Sequence, residues 1–279
     1  MSNHQLLLGK STSYYEEYNP SVLFPIARNQ GRSSLMLPPF TGYDLWRIYE
    51  LTFLLPNGLP QAYMATIKVP CTSPYIVESK SLKLYLGSLC QTMFGSPEEV
   101  AALITHDLVD ILDAEIEVKL YPIGAKTMPL LDFDSPLLEG MLELQDLKFK
   151  TYEVDPSLLK LAEKDKKDKK SNLACEAFHT NLFRSLCPVT GQPDYASIEI
   201  SYTGDRFDKA ALLAYLVSYR RHQGFHEQCV ERIFTDIKSK LKPDELTVTA
   251  CFTRRGGIDI SPVRSNAKSF STPMRTPRQ

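Results

Sequence analysis

The sequence predicts an α+β fold made of two similar halves. Three observations predict it: short segments of alternating apolar residues typical of strands, longer segments with apolar residues at helical spacing, and a charged segment between the halves. The chain has 279 residues, which is enough for two domains of ordinary size. A hydrophobic share of 43% and a charged share of 23% are normal for a globular protein.

Each half is predicted to have the order strand, strand, helix, helix, strand, strand. In the first half the strands lie at 46–55 and 62–69, the helices at 82–93 and 97–112, and the last strands at 115–123 and 142–154. In the second half the strands lie at 172–183 and 194–204, the helices at 208–222 and 226–241, and the last strands at 245–255 and 257–263. We therefore expect an N-terminal domain at 1–154, a charged linker at 155–171, a C-terminal domain at 172–279, and a poorly ordered tail from Ser265.

Composition excludes several classes of protein. A formal net charge of −1 gives no overall attraction to nucleic acid or to an anionic membrane. No apolar segment reaches the ~18 residues that a membrane-spanning helix needs, and none resembles a signal peptide. The six cysteines form no Cys-x-x-Cys pair, which argues against a disulfide framework and a zinc ribbon. We expect a cytoplasmic protein.

Two short matches indicate that the halves arose by duplication. YLGS at 85–88 matches YLVS at 215–218, and LLPNGLPQ at 54–61 matches CPVTGQPD at 187–194. In this alignment Leu54, Gln61, Ser96 and Pro97 stand opposite Cys187, Asp194, His226 and Glu227, whereas the ESK at 78–80 faces Asp208, Lys209 and Ala210. Since each reactive group is present in only one half, we expect one composite site per chain.

Cys187 and Asp194 lie at the two ends of a turn rich in proline and glycine. A deprotonated cysteine is a strong nucleophile for electrophilic carbon, and a protonated aspartate beside it can act as a general acid. The structural alternatives are a cysteine that only packs and an aspartate that only caps a turn.

His226 and Glu227 lie at the start of a predicted helix, where a glutamate also serves as a simple cap. His222 and His226 have a spacing that can bind zinc, but Gly224 interrupts the helix between them. The two arginines of TRRGGID, at 253–259, are either a solvated hairpin turn or a phosphate contact. No G-x-G-x-x-G follows a strand, so any dinucleotide must bind outside a Rossmann fold.

Four motifs together resemble one family. ESKSLKLYL at 78–86, CPVTGQPD at 187–194, FHE at 225–227 and RRGGID at 254–259 are similar to those of the NADPH-dependent 7-cyano-7-deazaguanine reductases. These are the nitrile reductases of queuosine biosynthesis, and the chain resembles their long, duplicated form, with no departure at any motif position. The resemblance implies tandem tunnelling-fold domains, in which antiparallel sheets carry helices on one face, and a homodimer.

The resemblance also implies a role for each motif residue. Cys187 would attack the nitrile carbon to give a thioimide, Asp194 would protonate the nitrogen, and His226 would orient the substrate or assist proton transfer. The base would be held by Val77, Glu78, Ser79, His226 and Glu227, and NADPH by Ser79, Lys80, Arg255 and Gly256. Hydride from two NADPH molecules would complete the reduction, with no metal, nucleic acid or membrane involved.

Two other functions stay open at this point. One is a zinc-dependent, pterin-forming enzyme of the same broad fold that uses His222 and His226. The other is a non-catalytic purine-binding module with an inert thiol.

Overall fold

The computed structural model describes residues 14–124, 132–163, 173–272 and 275–279. The strands are β1 (Pro25–Ala27), β2 (Thr41–Leu54), β3 (Pro60–Pro70), β4 (Tyr75–Val77), β5 (Glu117–Pro122), β6 (Leu173–Leu186), β7 (Pro193–Asp205), β8 (Glu245–Phe252) and β9 (Ile258–Ser265). The α-helices are α1 (Asn29–Arg32), α2 (Ser79–Ser88), α3 (Pro97–Leu112), α4 (Lys209–Val217) and α5 (His226–Leu241). Short 3-10 helices lie at Pro20–Val22, Leu89–Gln91, Leu138–Gly140, Leu142–Leu144, Pro156–Leu158 and Ser218–Arg221.

The chain forms two compact units. The first unit consists of Met1–Gln30, Tyr43–Pro129 and Arg254–Ile260, and the second of Gly31–Gly42, Leu130–Thr253 and Ser261–Gln279. Residues 130–154, which we expected in the N-terminal half, therefore group with the second unit. Within the described residues, no helix is both long and apolar enough to cross a membrane.

In the first unit, β3 pairs with β2 on one side and with β5 on the other, and all pairs are antiparallel. A bulge between Ile48 and Leu51 interrupts the β2–β3 register. Because the bulge adds one residue, Trp46 and Ile48 before it and Leu51 and Phe53 after it all reach the same core. Buried side chains of α2 and α3 complete that core.

The second unit repeats this plan. β7 pairs antiparallel with β6 and β8, and β8 pairs with β9. The β6–β7 register is interrupted between Thr180 and Phe183, at the position in β6 that corresponds to the bulge in β2. Buried residues of α4 and α5 share one core with these strands.

The structure supports the duplication and corrects its alignment. β2 and β6 both have 14 residues, and α3 and α5 both have 16. Aligned by their ends, the helices match buried Val100, Ile104, Asp107, Leu108 and Leu112 with buried Cys229, Ile233, Asp236, Ile237 and Leu241. The residues opposite His226 and Glu227 are therefore Pro97 and Glu98, and Leu55 rather than Leu54 stands opposite Cys187.

The strand predicted at 142–154 is wrong. This segment begins with the 3-10 helix Leu142–Leu144, and no strand is present in the rest of it. Leu144 is buried in the core of the second unit, with Leu147 and Phe149 packed against that core. The alternating apolar residues of this segment therefore pack on the core from an irregular backbone and do not belong to a sheet.

The flanks of the second unit are also more structured than expected. Leu159 of the predicted linker is buried in the core, while residues 164–171 lie outside the described residues. Gln279 is buried, and its side-chain amide donates to the carbonyl of Phe252 and the hydroxyl of Ser261. The expectation of a poorly ordered tail is therefore wrong for the described part of the C-terminus.

We expect Phe53→Ala to lower the free energy of unfolding by about 3–5 kcal/mol. Phe53 is fully buried, stacks on Tyr63 and meets Phe94 edge to face, so truncation leaves a cavity that its neighbours do not fill. Urea denaturation measures the loss. The control Leu59→Ala, at a side chain that is 54% exposed, should change stability by less than about 0.5 kcal/mol. Equal effects of the two changes would contradict this packing.

Candidate active site

Cys187 lies in a tight turn that joins β6 to β7. Its backbone N–H donates to the carbonyl of Gln192 at 2.8 Å, and the N–H of Gly191 donates to the carbonyl of Cys187 at 3.0 Å. Gly191 has a φ of +68°, in the left-handed region that favours glycine. Although Cys187 lies in a turn, it is 4% exposed within the chain. The backbone at Cys187 is therefore held by two hydrogen bonds, and its side chain is buried.

Asp194 is placed by the ladder between β6 and β7. It lies directly opposite Ser185, and the backbone bond from Cys187 to Gln192 continues the same register. Side chains alternate along strands, so Ser185, Cys187 and Asp194 share one face of the hairpin. Diagonal neighbours of this kind have Cα atoms about 7–8 Å apart. Since Asp194 is also buried, the thiol and the carboxyl face one enclosed region.

His226 and Glu227 form the first turn of α5. The His226 Nε2 atom lies 3.4 Å from Asp194 Oδ2, and its ring stacks on Phe252 at 3.8 Å. Its Nδ1 atom is buried and has no hydrogen-bond partner within the described residues. Glu227 is 3% exposed. The structure thus brings Asp194 and His226 together. Glu227, the next residue after His226, is buried.

Sequence reasoning missed two polar residues of this region, Cys229 and Ser185. Both are fully buried. Burial raises the pKa of the Cys229 thiol to about 12; Ser185 partly offsets the shift, and the charges of Asp194 and Glu227 add to it. Cys229 is therefore a neutral thiol at physiological pH, on the side of α5 that faces Ser185 and Asp194 of the hairpin.

The two units differ in the size of the side chains beside this turn. In the first unit, the layer beside the corresponding turn holds three aromatic rings, Phe53, Tyr63 and Phe94. The matching positions in the second unit are Ser185, Ala196 and Gly224, as the strand registers and the backbone bonds at Leu54 and Leu186 show. Near Cys187 and Asp194, the second unit therefore has small residues at positions where the first unit has aromatic rings. This contrast was available in the sequence, but only in the correct alignment.

Glu78 caps α2 in the first unit. Its carboxylate accepts hydrogen bonds from the backbone N–H groups of Lys80, at 3.1 Å, and Ser81, at 2.6 Å. Burial raises the pKa of Glu78, and these two donors partly offset the shift. Val77 ends β4 and is buried, while Ser79 and Lys80 form the first turn of α2.

Arg255 and Gly256 lie in the turn before β9, also in the first unit. The turn is closed by backbone bonds in both directions between Arg255 and Ile258, and Gly256 and Gly257 both have positive φ. A Cβ atom at Gly256 would lie 3.1 Å from Nζ of Lys83, one turn along α2 from Ser79 and Lys80. The four residues expected to bind the cofactor therefore belong to one unit, and Lys83 lies beside them.

Neighbouring side chains support this turn. The Arg254 guanidinium lies 4.6 Å from the centre of the Tyr49 ring, and the Tyr49 hydroxyl donates to Asp259. Asp259 is buried and also accepts from Arg47 at 3.0 Å.

The predicted residues fall into two groups. Cys187, Asp194, His226 and Glu227 belong to the second unit, and Val77, Glu78, Ser79, Lys80, Arg255 and Gly256 belong to the first. The expectation that the two groups form one site stays a prediction. Among the described residues, no group of three or more His, Cys, Asp or Glu side chains could hold a metal ion.

Both halves of the chain match family models of known proteins. Residues 14–120 match the family model "Nitrile reductase, 7-cyano-7-deazaguanine-reductase N-term", and residues 193–270 match "QueF-like protein". Proteins named NADPH-dependent 7-cyano-7-deazaguanine reductase are 44% identical in Paraburkholderia phymatum, over 100% of both chains, and 45% identical in Burkholderia orbicola, over 98% of both. One from Burkholderia lata is 46% identical over 96% of this chain and 94% of its own.

We expect His222→Gln to reduce the pH dependence of stability on the acid side. Burial, and then the charge of Arg232, lowers the pKa of His222 to about 4, from about 6.5 in an unfolded chain. Its contribution to stability is complete above pH 6.5 and is lost as the pH falls toward 4, because only the unfolded chain binds the proton in that range. Urea denaturation at pH 7.5 and 4.5 should show a pH-dependent loss smaller by about 1–2 kcal/mol in the variant.

The control for this change is His106→Gln, at a histidine side chain that is 69% exposed. It should leave the pH dependence of unfolding as in the unchanged chain. The same slope in His222→Gln and in the unchanged chain would contradict the assignment of a neutral, partly buried His222.

Proposed function

The chain belongs to the family of NADPH-dependent 7-cyano-7-deazaguanine reductases, and we propose that its nitrile chemistry takes place at Cys187, Asp194 and His226. It is an oxidoreductase that converts the nitrile of 7-cyano-7-deazaguanine to the aminomethyl group with NADPH, in queuosine biosynthesis. The α+β tunnelling fold with antiparallel sheets is confirmed. Membership in this family replaces the zinc-dependent and the non-catalytic alternatives.

One observation supports the assignment of the chemistry above all others. A buried cysteine and a buried aspartate share one face of a hairpin, and the aspartate lies 3.4 Å from a histidine. In the first step Cys187 reacts as the thiolate: its sulfur forms a bond to the nitrile carbon while one π bond of the nitrile opens. Asp194 gives its proton to the nitrogen, so that a neutral thioimide results. Because the ladder sets the spacing of the two groups, addition and protonation can occur together.

Cys187 also serves as the leaving group. After a first reduction of the thioimide carbon, the carbon–sulfur bond breaks and the thiolate departs, which leaves an imine. A second reduction of the imine gives the amine. The rigid turn returns the sulfur to the same place, so the residue is ready for the next substrate.

Carboxylates suit the N–H edge of a guanine-like base, because they are acceptors only. We assign this role to Glu227 and Glu78, with Val77 and Ser79 beside Glu78. The unpartnered Nδ1 atom of His226 is a further group that a substrate can engage. Binding by Glu78 requires that the base share this carboxylate with the backbone N–H groups of Lys80 and Ser81, or displace them.

The residues of the first unit fit NADPH. Gly256 keeps the backbone free of side-chain atoms next to Lys83, and cationic Lys80 and Arg255 belong to the same unit. A glycine turn with cations beside it suits phosphate groups, since backbone and guanidinium donors can both approach. Ser79, Lys80, Arg255 and Gly256 would hold the cofactor. When bound, NADPH supplies the hydride.

We also propose a cytoplasmic homodimer that acts on the small-molecule substrate without binding nucleic acid or membrane. All six cysteines are free in the structure, which suits a reducing compartment. The formal charge of −1 supports the absence of a polyanionic partner.

The activity is tested with 7-cyano-7-deazaguanine and NADPH, by following the loss of cofactor absorbance. We expect two equivalents of NADPH to be consumed per nitrile, because a nitrile needs two hydrides to become an amine. Consumption that stops at one equivalent, or no consumption, would contradict the proposed reaction.

The covalent role of Cys187 has a separate test. Incubation with the cyano base in the absence of NADPH should add the mass of the base to the intact protein, and peptide mapping should locate it on Cys187. Cys187→Ala should show neither adduct nor turnover. The control Cys175→Ala, at an exposed thiol on β6, the strand that leads into the turn, should keep both. An adduct in Cys187→Ala would rule out this nucleophile.

Cofactor binding is tested by titration of protein-bound NADPH fluorescence. Arg255→Ala should weaken NADPH binding by about tenfold and NADH binding by less, because a guanidinium contributes most to the additional phosphate. The control Lys119→Ala removes an exposed cation of the same unit and should change neither. Equal losses for NADPH and NADH would show that Arg255 does not contact the additional phosphate.

A further inference from the structure

Ser185 carries a buried hydroxyl whose neighbour within the described residues is the neutral thiol of Cys229, and no stronger hydrogen-bond acceptor meets it there. The residue is 0% exposed and lies directly opposite Asp194 in the β6–β7 ladder. Residues directly opposite in an antiparallel ladder have Cα atoms about 4.5–5.5 Å apart, with both side chains on one face. The hydroxyl is therefore next to the acid that the proposed reaction uses.

The fold itself does not require a serine here. The corresponding residue of the first unit is Phe53, which fills its core on the same type of strand with the same bulge. A buried hydroxyl beside a thiol is unfavourable, because it has exchanged its hydrogen bonds to water for a weak donor and acceptor. Ser185 is thus an unfavourable choice for packing, which points to a state of the protein in which the hydroxyl gains an acceptor.

The surroundings of Asp194 show which acceptor arises. From α5, His226, Glu227 and the neutral thiol of Cys229 belong to this region, with Arg232 further along the helix. From the hairpin come Cys187 and Ser185, and the neighbouring β8 contributes the apolar Phe252 against His226. Once Asp194 has given up its proton, its carboxylate is a new buried acceptor. Ser185 carries a hydroxyl directly across the β6–β7 ladder from it.

We propose that Ser185 is a positioning residue for proton transfer: its hydroxyl donates a hydrogen bond to the Asp194 carboxylate that forms when the thioimide forms. This role rests on the proposed function. The step balances, since the carbon–sulfur bond forms from the Cys187 electron pair, the nitrile π electrons take the Asp194 proton, and the negative charge moves from sulfur to the carboxylate. Ser185 stabilises that charge without being consumed.

The test is Ser185→Ala, with single-turnover formation of the thioimide followed by its absorbance and by intact mass. We expect the rate of formation to fall about tenfold, as for loss of one hydrogen bond to a charged group, with substrate affinity unchanged. The alkaline limb of the rate should move to higher pH, because a carboxylate that loses a donor holds its proton more tightly. Ser185→Thr keeps a hydroxyl and should retain the pH profile of the unchanged chain.

The matched control is Ser197→Ala, on the neighbouring strand β7. Ser197 is also buried, but its hydroxyl already donates to Asn181. This change should lower the melting temperature and leave the pH profile as it was. An unshifted alkaline limb in Ser185→Ala, with or without a loss of stability, would overturn the proposal and leave a structural role.

The two proposals fail in different ways. If the unchanged chain forms no adduct at Cys187, the proposed chemistry itself is wrong. If the unchanged chain forms the adduct and Ser185→Ala forms it at the same rate and pH, only the role of Ser185 is wrong.

Discussion

The antiparallel ladder between β6 and β7 is the constraint on which the reactive centre depends. Its register sets Ser185 opposite Asp194, and two backbone hydrogen bonds close the turn that holds Cys187. None of these positions can shift alone, because a slip of one residue would turn every side chain of a strand to the other face. Backbone geometry therefore keeps Cys187 and Asp194, the proposed nucleophile and acid, at one separation.

The two units share one plan but differ in the packing beside the turn that follows β2 or β6. The first unit fills the layer beside its turn with Phe53, Tyr63 and Phe94, which bury a large apolar area. The second unit has Ser185, Ala196 and Gly224 there. Aromatic rings lie deeper in its core, where Phe183 packs against Tyr219 and Phe252. The second unit thus keeps aromatic packing in its core and has small residues at the buried positions beside the turn.

Local patterns predicted much of this structure. The helices at 97–112 and 226–241 were predicted at their observed bounds, because Pro97 begins the first, Gly224 lies just before the second, and the apolar spacing is regular. The segment 142–154 failed because alternating apolar residues also suit an irregular segment that packs on a core. Ser185 and Cys229 were missed because their position beside Asp194 follows from the β6–β7 register and from the packing of α5, which the sequence pattern does not show. The short matches placed Cys187 opposite Leu54, one residue away from Leu55, and that shift concealed the contrast between Ser185 and Phe53.

The rotation of α5 about its axis depends on a buried ion cluster further along the helix, in which Glu231 binds Arg32 and Arg264. Burial alone would raise the pKa of Glu231, but the hydrogen bond from Arg32 and the charge of Arg264 outweigh it and hold the pKa below its ordinary value. Glu231 therefore stays charged, and both arginines bind it with two nitrogens each.

These bonds restrain rotation of α5 about its own axis. Glu227 lies one turn before Glu231 on the same side of the helix. A helix held in this rotation keeps Glu227 buried and places the His226 ring between Phe252 and Asp194. The hairpin thus sets the spacing of sulfur and acid, and the ion cluster sets the direction from which histidine and glutamate approach them.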